Sequence, residues 1–62
     1  MEKIEVFKIL SFPDSIIVVH DGIKIVEIFK KSGNETKHAR RFIGWYAKKH
    51  FITKYIIEQE NC

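Results

Sequence analysis

The sequence predicts a small α+β chain with the order βββαβ, and three observations carry that prediction. The first half is rich in β-branched and aromatic residues in short runs. An Asp21-Gly22 dipeptide separates two such runs, the strongest short hairpin signal because its turn needs positive φ at both central positions. From Glu35 the apolar spacing changes to a helical period.

The first strand is expected over Lys3–Phe12, where Ile4, Val6, Leu10 and Phe12 fall on one phase and Phe7 and Ile9 on the other. Pro13-Asp14-Ser15 ends it, as turn residues do. Ile16–His20 is apolar on both phases, which fits a central strand. Ile23–Lys30 follows as the third strand. A two-residue Asp21-Gly22 turn puts Ile16, Val18, Ile23 and Ile25 on one face and Ile17, Val19, Val26 and Ile28 on the other.

A helix is expected from Glu35 to about His50. Two starts compete: a capping box of Ser32 with Glu35, and Asn34 as N-cap. Ala39, Phe42, Ile43, Tyr46, Ala47 and His50 form one apolar stripe. Beyond His50 the stripe fails, and Phe51–Glu58 reads as a fourth strand; the alternative is a helix continuing to about Glu58, since no Gly or Pro marks a break.

One helix covers one face of a sheet. The face of Ile17, Val19, Val26 and Ile28 is therefore expected to meet a partner, most simply a second copy in a homodimer. A curled sheet covered by the N-terminal strand or the C-terminal tail is the competing solution.

At 62 residues, with 45% hydrophobic and 31% charged residues, the chain has the composition and length of one globular domain. Its single cysteine, Cys62, excludes an internal disulfide and points to a reducing, cytoplasmic setting. The longest aliphatic run, Ile16–Val19, is far short of a membrane span. The N-terminus lacks the continuous apolar segment of a signal peptide.

Charge is unevenly placed. Residues 1–34 balance five lysines against five acids, while residues 36–57 hold Lys37, Arg40, Arg41, Lys48, Lys49 and Lys54 and no acid. The net charge of +3 comes from that segment, which suggests an anionic partner. At 100° per residue, Lys37, Arg41 and Lys48 lie opposite the apolar stripe, Arg40 and Gly44 flank one side, and His38, Trp45 and Lys49 flank the other. An aromatic among cations suits base stacking with phosphate neutralisation, or an acidic protein surface. Trp45 folded over the core edge beside solvated cations is the plainer reading. Gly44 inside a helix costs about 1 kcal/mol against Ala, which suggests close approach of another group.

Catalytic chemistry finds no support. There is no activated Ser or Cys context, no paired carboxylates and no Gly-rich phosphate loop. His20, His38 and His50 show no metal-ligand spacing, and one cysteine makes a zinc site implausible. His20 reads as a turn-flanking residue and His50 as a boundary histidine. No cofactor and no metal are expected.

Zinc-finger spacing, the aromatic strand motif of RNA-recognition domains and a helix-turn-helix pair are all absent. The expectation is a non-enzymatic binding protein whose basic helix face of Lys37, His38, Arg40, Arg41, Trp45, Lys48 and Lys49 contacts nucleic acid or another anion. The alternative is a homodimeric inhibitor or antitoxin-like accessory protein, of phage or mobile-element type, acting through the apolar sheet face.

Overall fold

A computed structural model describes residues 3–62. Strands β1 (Glu5–Ser11), β2 (Ser15–His20) and β3 (Lys24–Lys30) are followed by helix α1 (Glu35–Lys49) and strand β4 (Tyr55–Asn61). The sheet order is β3-β2-β1-β4, with β1, β2 and β3 antiparallel in turn and β4 parallel to β1. This is the predicted βββαβ order. The parallel β4 follows from parity: β3 runs with β1, α1 returns across the sheet, and the chain must then run forward again.

The helix packs on one face, over β2, β3 and β1. Phe7 and Ile9 from β1, Ile16 and Val18 from β2, and Ala39, Ile43 and Tyr46 from α1 form the buried core; Val26, Phe29, Phe42, Ile52 and Ile57 close it. Burial of a large aliphatic or aromatic side chain contributes about 1.5–3 kcal/mol, and with no bridge in a 62-residue chain this cluster is the main source of stability.

The β2–β3 register departs from the two-residue-turn expectation at both ends. Asp21 (φ 56°) and Gly22 (φ 75°) both take the expected positive φ, and Ile23 N–H donates to His20 C=O at 3.4 Å. The ladder, however, pairs His20 with Lys24, leaving Ile23 outside it and 90% exposed. An irregularity opposite Val18/Val19 then lets Val26 pass unpaired, so Val19 opposes Ile25 while Val18 opposes Glu27. Ile25 thus joins Ile17, Val19 and Ile28 on the helix-free face. Val26, expected on that face, packs against the core instead. The bulge changes the phase of half the strand, which a period-two reading cannot register.

Helix α1 ends where the stripe fails, and the reason is a Schellman motif. Ile52 N–H donates to Ala47 C=O at 2.8 Å and Phe51 N–H to Lys48 C=O at 3.3 Å. Phe51 holds the left-handed position (φ 58°) that glycine usually fills, so the stop left no glycine signal. The fourth strand starts four residues later than expected and runs to Asn61. At the other end Asn34 is the N-cap without a side-chain bond. The Glu35 carboxylate instead reaches back and accepts from the N–H groups of Ser32 and Gly33, each at 2.8 Å. Those backbone bonds hold its pKa below the usual carboxylate value.

Among the described residues no helix is long and apolar enough to cross a membrane.

Candidate functional site: a basic helix face, an open sheet face and a histidine–carboxylate cluster

Burying the Ala39–Ile43–Tyr46–Ala47 side of α1 forces its cationic positions outward. Lys37, His38, Arg40, Arg41, Trp45, Lys48 and Lys49 are all exposed. None of the helix cations lies within 4.0 Å of a carboxylate among the described residues.

Trp45 is 55% exposed. One side of its ring is supported by Phe42, at 5.7 Å between centroids, and Lys49 Nζ stands 4.8 Å from the ring centre. Phe42 in turn meets Phe29 of β3 edge-on at 6.0 Å. Between helix and β3 these rings border a shallow groove of about 410 Å³, lined by Glu27, Phe29, His38, Arg41, Phe42 and Trp45. His38, Arg41 and Trp45 are therefore brought together, with Lys49 on the tryptophan ring. Lys37 and Lys48 sit on the outer crest of the helix by its period, and Arg40 on the flank away from the groove. Trp45 neither folds into the core nor stands free: it leans on the core edge and keeps over half its surface open. Glu27 in the groove was not anticipated. Its pairing with Val18 puts it on the helix side of β3, and its Oε1 accepts from Ile28 N–H at 3.1 Å.

Gly44 is not explained by close approach. A Cβ there would meet only Tyr55 Oη, at 3.8 Å, an ordinary contact.

The helix-free face carries Ile17 and Val19 of β2, Ile25 and Ile28 of β3, and Ile56 of β4 in one phase. Ile25 is 60%, Ile28 55% and Ile56 47% exposed, but Val19, expected to be open on this face, is buried at 7%. Lys8 crosses the same face to Glu60 at 3.4 Å, a partly exposed pair that contributes little.

The third cluster escaped the sequence reading. His20 is more than a turn neighbour. Its ring stacks on Phe7 at 4.6 Å, 11° from parallel, and meets Tyr46 edge-on at 5.7 Å. Its Nε2 is 2.8 Å from Glu5 Oε1 and 3.6 Å from Asp21 Oδ2. The hydrogen bond to His20 is the largest of the influences that lower the Glu5 pKa, with Lys3 at 3.5 Å adding to it. The signal was parity: Phe7 pairs with His20, so Glu5 falls two residues beyond His20's partner on the same face. The cluster lines a cavity of about 430 Å³ together with Lys24, Tyr46 and His50. His50 is exposed and lies 4.3 Å from the Tyr46 ring, tilted by 33°, a boundary position.

Compared with known proteins, the chain matches no family model, no curated protein and no solved structure.

Proposed function

We propose that this protein binds single-stranded nucleic acid through the exposed face of α1. Trp45 stacks on a base, Arg41 and His38 meet the phosphates beside the groove, and Lys37, Arg40, Lys48 and Lys49 neutralise the neighbouring backbone. The observation that carries this reading is Trp45, 55% exposed in a groove with Arg41. Exposing a tryptophan forgoes apolar burial, and base stacking on an aromatic returns about 1–3 kcal/mol per base. The helix cations have no carboxylate within 4.0 Å among the described residues, so they need shed no internal partner to meet phosphate. No nucleophile or cofactor enters this reading, which is one of binding without catalysis.

The test is titration of Trp45 fluorescence with a mixed-sequence single-stranded oligonucleotide at several salt concentrations. Saturable quenching that weakens with salt is expected, with several-fold loss of affinity in Arg41→Glu. No change in fluorescence or mobility at low salt would overturn the reading.

A second surface supports self-association. Ile25 and Ile28, each more than half exposed, lie in phase with Ile17 on the face that no helix covers, and two copies packed through it would leave both basic helices outward. The exposed thiol of Cys62 suits a reducing compartment, and in this reading the protein acts in the cytoplasm.

A further inference from the structure

We infer that Glu5, His20 and Asp21 form a binding site for a divalent first-row transition-metal ion. One imidazole nitrogen faces two carboxylates: His20 Nε2 is 2.8 Å from Glu5 Oε1 and 3.6 Å from Asp21 Oδ2, and donor atoms of all three residues lie within 4.8 Å of one another. An ion bound at about 2.1 Å separates its neighbouring donors by about 3.0 Å in octahedral and about 3.4 Å in tetrahedral geometry. The two measured distances bracket those edges, and the Glu5 and Asp21 donors lie within 4.8 Å of each other, so ligation requires the two carboxylates to close toward one ion beside the imidazole.

The donors are also held. His20 is fixed between Phe7 and Tyr46. Asp21 is set by a turn whose φ of 56° directs the backbone. Lys3 pairs with Oε2 of Glu5 at 3.5 Å, leaving Oε1 for the imidazole side. The His20 and Glu5 side chains are each 14% exposed, and that of Asp21 is 41% exposed. A mixed set of one imidazole and two carboxylates suits zinc, cobalt, nickel or manganese rather than calcium or magnesium. Three protein ligands leave positions open toward the 430 Å³ cavity that His50 and Tyr46 border, where water or a small anion completes the shell. The site differs from the expectation of no metal because its ligands come from β1, the end of β2 and the turn that follows it, not from one helix.

The test uses the untagged chain with Zn2+ by calorimetry and Co2+ by visible absorption. One ion per chain is expected, with a thermal stabilisation that rises with Zn2+ concentration and a Co2+ spectrum that Zn2+ abolishes. Asp21→Asn keeps a residue that tolerates the turn, so its metal-free thermal midpoint should equal the parent's while its affinity falls at least tenfold. Glu5→Gln should lose affinity similarly, whereas His38→Gln and His50→Gln should not. Absence of saturable binding, binding indifferent to Asp21→Asn and Glu5→Gln, or loss in the His38 or His50 variants instead would each overturn the assignment.

Discussion

Lys49 Nζ lies 4.8 Å from the centre of the Trp45 ring, one helical turn along α1. The contact leaves more than half of Trp45 open and places a cation over its ring. A base arriving on the ring meets an aromatic platform and a positive charge together, which is the arrangement that sequence-tolerant single-strand binders use. Trp45→Phe should keep part of the stacking, and Trp45→Ala should lose about 1–3 kcal/mol of binding with little change in thermal midpoint, since the ring only leans on Phe42. Gel mobility with a labelled oligonucleotide measures the first quantity and a melting curve the second.

The bulge opposite Val18/Val19 separates two substitutions that a regular hairpin would treat alike. Val26 packs against the core and Ile28 stands on the open face. Val26→Lys should destabilise the folded chain by about 2–4 kcal/mol, because a charge enters a partly buried apolar site. Ile28→Lys should leave the stability of the folded monomer nearly unchanged and shift any dimer to monomer. Light scattering and thermal melts on the two variants separate these effects. Equal melting of both would contradict the register.

Phe51 takes a left-handed φ of 58° while 90% exposed. That conformation costs a non-glycine residue roughly 1 kcal/mol, and little burial offsets it. Phe51→Gly should therefore stabilise the chain by about 0.5–1 kcal/mol, a rise of several degrees in a domain this small, measured by thermal denaturation. A fall would show that the ring is held by a contact with a partner.

The start of α1 has a pH signature. The N–H groups of Ser32 and Gly33 lower the pKa of Glu35 in the folded state. A lowered folded pKa means that the carboxylate stabilises the fold above its ordinary value near 4.5 and that this contribution disappears as pH falls through the folded value. Glu35→Gln should melt below the parent at pH 7, and the gap should close as the pH falls well below 4. A gap independent of pH would assign the effect to packing.

Much of this fold was legible in the sequence, and the misses have particular causes. Asp21-Gly22 announced its turn through a residue pair suited to two positive φ values between two β-branched runs. The stripe from Ala39 to Ala47 announced the buried side of α1 through its period. Val26 was misplaced because a bulge shifts the phase without leaving a compositional trace. The helix stop at Phe51 was ambiguous because a phenylalanine occupies a glycine position. The basic face was visible because charge segregation survives in one dimension. The Glu5–His20–Asp21 cluster was not, because its members meet only once the β1–β2 register is known.

The central proposal is tested most directly by the salt dependence of single-strand binding, followed through Trp45, the only tryptophan in the chain. Engagement of four to six cations predicts a slope of log affinity against log salt of roughly −3 to −4. Arg41→Glu should weaken binding and flatten that slope, while Ile28→Lys leaves it unchanged. A slope near zero, or quenching that persists undiminished in Arg41→Glu, would contradict binding of nucleic acid by the basic face of α1.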